Sequence, residues 1–78
     1  MGLFALNHSQ GWRILEKYRN DRGEEFVIVY RPNTDDFAWG SFYNEETGQW
    51  AWGHYNYSSL ADARKTMLEK YTYIKQIY

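Results

Sequence analysis

The sequence predicts a single α+β domain over residues 1–78: a four-stranded antiparallel meander, then one C-terminal amphipathic helix packed on one face, in the order β-β-β-β-α. Three observations carry this. Between residues 12 and 56, side chains alternate with period two in short runs, as half-buried strands do. Clusters of Asn, Asp, Gly, Pro and Ser separate the runs and supply turns. Past Ser59 the apolar period changes to three and four, that of a helix burying one face.

Residues 12–19 form the first strand, with Trp12, Ile14, Glu16 and Tyr18 pointing one way and Arg13, Leu15, Lys17 and Arg19 the other. Asn20-Asp21-Arg22-Gly23 is a turn in which Gly23 suits a left-handed position. Residues 25–31 form the second strand. Its unbroken Phe26-Val27-Ile28-Val29-Tyr30 core indicates a central strand covered on both faces. Glu24-Glu25 and Arg31-Pro32 flank that core as aggregation gatekeepers.

After the turn Pro32-Asn33-Thr34-Asp35-Asp36, residues 37–43 form the third strand. Residues 44–48 are a hairpin loop with Gly48 at a bulge position, and residues 49–56 form the fourth strand. With residues 45–48 as the loop, Tyr43 faces Trp50 and Ser41 faces Trp52. One face then carries Phe37, Trp39, Tyr43, Trp50, Trp52 and His54, and the other Ala38, Gly40, Phe42, Ala51, Gly53 and Tyr55. A one-residue slip would mix the two sets.

Ser59 is the helix N-cap, with Asp62 completing a capping-box-like pattern. Leu60, Ala63, Met67, Tyr71, Ile74 and Tyr78 make the apolar stripe, widened by Leu68, and the helix is expected to hold to about Tyr73. Residues 1–11 are a short arm, a helical turn or an extra edge strand.

A chain of 78 residues buries only about 60–65% of the surface its unfolded form exposes. Without Cys, disulfides and thiolate metal sites are excluded. Nine Lys and Arg against ten Asp and Glu give a net charge of -1, which lacks the basic excess of a nucleic-acid module and is too weakly acidic for a nucleic-acid mimic. The longest apolar run is far too short to span a bilayer, and the first residues lack the pattern of a secretory signal. No membrane association and a cytoplasmic location are therefore expected. The sequons at Asn7 and Asn56 are expected to stay unused. The only His residues, His8 and His54, are far apart, and no paired-carboxylate, metal or phosphate-loop pattern occurs. The expectation is a non-enzymatic protein with no cofactor.

Four Trp, eight Tyr and four Phe make 21% of the chain. At roughly 150–250 Å² each, they exceed what one small core can hide, and exposed aromatic surface usually meets a partner. Trp39, Trp50, Trp52, Tyr43 and Tyr55 are the expected partner-binding residues. The Trp set is either the core beneath the helix or the uncovered sheet face; the small residues Ala38, Gly40, Ala51 and Gly53 would admit a close helix on the other side. An alternative is single-stranded nucleic-acid binding by Arg13, Lys17 and Arg19 on one face of the first strand, interleaved with Phe26 and Tyr30. The opposing reading of those cations is edge-strand protection. A third possibility is a structural homodimer through an edge strand or the open face.

The stretch Glu46-Thr47-Gly48-Gln49-Trp50-Ala51-Trp52-Gly53-His54-Tyr55, followed by Ser58-Ser59-Leu60-Ala61-Asp62-Ala63, resembles small α+β proteins of bacterial phages and mobile elements, whose TG-x-W-x-x-G-x-Y hairpin leads into an S-L-x-x-A helix start. In size, and in lacking Cys and catalytic residues, the chain is also similar to phage-encoded inhibitors of host defence, including the anti-CRISPR proteins. The resemblance implies a protein that occupies a nucleic-acid or partner surface of a larger host complex. Many such inhibitors are strongly acidic; this chain is not, which argues against DNA mimicry. No site residue carries over.

Overall fold

The computed structural model describes residues 11–78; the readings made for the first ten residues, His8 and the Asn7 sequon among them, lie outside the described residues. The elements run β1 (Arg13–Arg19), β2 (Glu25–Arg31), β3 (Asp36–Ser41), β4 (Trp52–Tyr57), α1 (Leu60–Lys70) and β5 (Lys75–Gln76). All strand pairs are antiparallel, in the sheet order β4-β3-β2-β1-β5. The α+β meander with its C-terminal helix is present, and a fifth strand extends it.

The turn chemistry holds. Gly23 sits at φ 83°, and the Asn20 side chain accepts from the backbone N–H of Arg22 and Glu24 at 3.0 and 2.9 Å. The next hairpin closes on an Asn44–Gln49 bridge, with Gly48 at φ 71°. Ser59 Oγ accepts from the Asp62 N–H at 3.1 Å and so caps α1, and Ser58 Oγ donates to the Asp62 carboxylate at 2.9 Å, holding that side chain at the helix start.

Three local irregularities redistribute the side chains. In β1, Leu15 is bulged between the pairs Ile14–Val29 and Glu16–Ile28. A bulge inserts one residue and inverts the alternation beyond it. Trp12 and Ile14 therefore join the cluster on the face away from the helix, while Tyr18 joins the helix-side cluster. At the end of β3, Phe42 adopts φ 58° and exchanges faces with Tyr43: Phe42 packs on Phe26 and Tyr71, and Tyr43 lies with Trp12, Val27 and Ala38. In β4, Asn56 at φ 72° shifts the register, so that Phe37 pairs with Tyr57 while Trp39 pairs with His54.

Two compact layers result. Beneath α1 lie Tyr18, Phe26, Ile28, Trp39, Ala63 and Met67, flanked by Phe37, Tyr57, Leu60, Leu68, Tyr71 and Ile74. On the opposite face lie Trp12, Ile14, Val27, Val29, Ala38 and Tyr43, with Trp50 packed against them. The FVIVY strand feeds both layers, as its unbroken apolar run predicts.

The helix ends earlier than expected. Tyr71 is extended, at φ -120°, and its N–H donates to Met67 O. Tyr71 and Ile74 still reach the helix-side cluster, but beyond them the chain turns back along β1: Ile77 N–H donates to Lys17 O at 2.8 Å, and Lys17 N–H to Tyr78 O at 3.2 Å. An otherwise open β1 edge offers paired backbone hydrogen bonds that two more helical turns in solvent would not, and Tyr, Ile and Thr favour the extended form.

Candidate functional site

The face opposite α1 is closed by aromatic rings. Trp50 meets the buried Trp12 edge-on at 6.2 Å, Tyr55 lies 5.7 Å from Trp12, and Trp50 Nε1 donates to Tyr55 OH at 3.0 Å. The Arg31 guanidinium sits over the Trp12 ring at 4.2 Å, a cation–π contact. Gly40 and Gly53 make room for this cover. A Cβ on Gly40 would lie 2.7 Å from Trp50 Cδ1 and Cδ2, and one on Gly53 2.7 Å from Tyr55 Cε2. The small residues thus admit aromatic rings, not a helix. The layer carries a cost: Trp12 Nε1 and Tyr43 OH are buried without a hydrogen-bond partner.

The five residues expected to bind a partner divide accordingly. Trp39 is only 2% exposed; it stacks on His54 at 4.1 Å and donates to Tyr57 OH and Thr66 Oγ1 at 3.1 and 2.9 Å. Tyr43 is buried and Trp50 half-buried, so these three build the two layers. Trp52 and Tyr55 stand at the surface, 65% and 46% exposed. Phe42, at 38%, joins them through the face exchange at the end of β3, which no pattern in the sequence signals. Tyr73, Ile77 and Tyr78, in the segment around β5, are also exposed.

The shared basic face expected on β1 does not form, because the Leu15 bulge separates its members. Arg13 pairs with Tyr30, whereas Lys17 pairs with Val27 and Arg19 with Glu25. Phe26 is buried under the helix. Lys17, 3% exposed, bridges Glu25 at 2.9 Å and Glu45 at 3.1 Å and lies 5.5 Å from the Tyr43 ring centre. Arg19 bridges Glu25 at 2.7 Å. These cations tie the turn and the 44–49 loop to the sheet. The groove lined by Glu24, Glu25, Tyr43 and Glu45 has its carboxylates engaged by Arg22, Lys17 and Arg19.

A second network joins α1 to β1. Arg64 donates through Nε at 3.1 Å and through Nη2 to the Glu16 carboxylate, which also accepts from Tyr18 OH at 2.7 Å. Burial alone would raise the Glu16 pKa, but the hydrogen bonds from Arg64 and Tyr18 and the Arg64 charge hold it below the ordinary carboxylate value of 4.5. Glu25 is held low against the same burial by Arg19 and Lys17. Burial, with the hydrogen bond to Glu16 and its charge, pushes the Tyr18 phenol up to about 12. Stability from the two carboxylates is complete above 4.5 and drains as pH falls through their lower folded values; stability from Tyr18 is complete below 10.0 and is lost by about 12. Thermal melts across pH should show both limbs, with Glu16→Gln flattening the acid one. An unchanged acid limb in that variant would remove Glu16 from the account.

Among the described residues, no group of three or more His, Cys, Asp or Glu side chains converges to hold a metal ion, and no helix is long and apolar enough to cross a membrane. Set against known protein families, curated proteins and solved structures, the chain has no significant match. Geometry is thus the guide to function, and it points to β4. Among the described residues this strand pairs with β3 on one side only, and its residues, Trp52, Gly53, His54, Tyr55, Asn56 and Tyr57, include no Lys, Arg, Asp or Glu.

Proposed function

We propose that this chain acts by binding, without chemistry of its own, and that it inhibits or modulates a larger host protein or nucleoprotein complex. The observation that carries the reading is Trp52: a large ring, two-thirds exposed, on an uncharged strand that also exposes Tyr55 on its other face, with Phe42 exposed at the end of β3. Folding does not need that ring in solvent, whereas Trp and Tyr are the side chains that most often anchor protein interfaces. The phage and mobile-element resemblance makes host-defence complexes the first targets to try.

The test is paired capture from bacterial lysate with the wild type and with Trp52→Ala. Interface anchors lose about 2 kcal/mol or more on truncation, roughly thirtyfold in affinity. A partner retained by the wild type and lost by the variant supports the reading. Equal retention by both moves the contact away from β4. Salt-sensitive quenching of Trp fluorescence by single-stranded RNA or DNA, with no protein captured, would replace the reading with nucleic-acid binding.

A further inference from the structure

We infer that residues 75–78 are a displaceable strap, which leaves the β1 edge as a unit while α1 and the rest of the sheet stay folded. The strap lies on the side of the sheet away from β4 and goes beyond the proposed partner contact without resting on it.

Burial stops where the strap begins. Tyr71 and Ile74 pack against the helix-side cluster, whereas Lys75, Gln76, Ile77 and Tyr78 are all exposed. What joins the strap to the sheet is backbone pairing. Gln76 pairs with Tyr18 and Lys75 with Arg19. Lys17 O accepts from the N–H groups of Ile77 and Tyr78 at 2.8 and 3.3 Å, and Lys17 N–H donates to Tyr78 O at 3.2 Å. The Gln76 side-chain amide donates to Tyr78 O at 3.2 Å, inside the strap itself, and lies by the Glu16 carboxylate, which Arg64 and Tyr18 already hold.

Backbone hydrogen bonds that water can replace contribute little net stability, and ordering each of the four residues costs about as much. The strap is therefore close to balance. β1 is not: Ile14, Glu16, Lys17 and Tyr18 are buried, and its other edge carries the ladder to β2. A segment with little buried surface opens ahead of the core it is attached to. Release uncovers the backbone of Lys17 but not its side chain, whose ammonium stays between Glu25 and Glu45. Closed, the sheet ends in a two-residue strand carrying Lys75, a poor template for further pairing. Open, β1 becomes the edge. The strap thus gates whether this side of the sheet can pair with another extended backbone.

Strand alternation supplies an internal control. Successive N–H groups point to opposite sides of a strand, so the Lys17 N–H faces the strap and the Tyr18 N–H faces β2. Native-state amide exchange of the full chain, followed by NMR and corrected for intrinsic rates, compares the two. The Lys17 N–H is expected to be less protected than the Tyr18 N–H by about tenfold or more. Its protection should be indifferent to low urea, because the opening exposes little surface, while that of Tyr18 should fall as urea is raised. Ile77→Pro, which deletes a donor to Lys17 O, should lower the protection of Lys17 further and leave Tyr18 and the cooperative thermal transition in place. Three results would each overturn the inference: a difference of less than about tenfold, a shared urea dependence, or an Ile77→Pro chain that fails to fold or loses protection equally at Tyr18. The last four residues would then be an integral part of the sheet.

Discussion

Replacing Trp39 with alanine is expected to unfold the domain at 25 °C. The ring lies between the sheet and α1, stacked on His54 and edge-on to Tyr71 at 5.9 Å, and its N–H is shared between Tyr57 and Thr66. It thus joins β3, β4 and the helix at one point. Truncating a buried Trp costs about 3–5 kcal/mol, including the cavity left behind. A domain of 78 residues has a total stability of roughly 4–12 kcal/mol, and small size places it low in that range. The loss is therefore comparable with the whole. Trp39→Phe keeps most of the ring and loses the hydrogen bonds, so it should cost about 1–2 kcal/mol and stay folded. Trp52→Ala, at an exposed position, should lie within about 0.5 kcal/mol of wild type. Urea denaturation followed by far-ultraviolet circular dichroism orders the three variants. A Trp39→Ala midpoint equal to that of Trp52→Ala would show that the cluster beneath α1 does not hold the fold together.

The contrast between those two Trp residues also shows how far the sequence could be read. Strand existence, turn positions and the Ser59 cap follow from local chemistry: Gly23 and Gly48 supply positive φ, and Asn20 and Ser59 supply acceptors at helix and turn starts. The pairing of Ser41 with Trp52 and of Trp39 with His54 follows from the loop length. Which face a residue takes does not follow, because strict alternation fails at Leu15, Phe42 and Asn56. The first is an apolar residue like Ile14 before it, with nothing in its type to mark a bulge. The second is a Phe at φ 58°, a conformation a bulky side chain seldom adopts, held there by packing on Phe26 and Tyr71. Each event moves every later side chain in its strand to the other face. Thus Lys17 and Arg19 leave Arg13, Tyr43 and Trp50 leave Trp39, and the single aromatic face divides into two layers with Trp52 left outside both. The fifth strand escapes notice for a different reason: the spacing of Tyr71, Ile74 and Tyr78 is helical, while the pairing that overrides it depends on the distant backbone of β1.

Gly40→Val should be nearly as damaging as loss of Trp39, although it removes nothing. Glycine inside a strand is ordinarily unfavourable, and replacing it with a residue that has a Cβ should stabilise by about 0.5–1 kcal/mol. At Gly40 the sign reverses. The first added carbon would lie 2.7 Å from two Trp50 ring atoms, where ordinary contact needs more than 3.4 Å. Trp50 cannot retreat without cost, because it abuts Trp12 and is tied to Tyr55 OH at 3.0 Å. Overpacking of this kind costs about 1–3 kcal/mol for a small excess. Gly40→Ala should fall in that range. The two further methyls of valine would expel the ring, uncover the layer formed by Trp12, Val27 and Val29, and bring the loss to about 3–4 kcal/mol by adding exposed apolar area. The spectroscopic signature separates this from general loosening: Trp50 emission should shift to the red in Gly40→Ala while the thermal transition stays cooperative. Trp50→Ala in the same background should recover part of the valine loss, since the smaller side chain removes the overlap. If the double variant is no more stable than Gly40→Val, the ring is not what the glycine accommodates, and the cover on this face of the sheet must be held by other contacts.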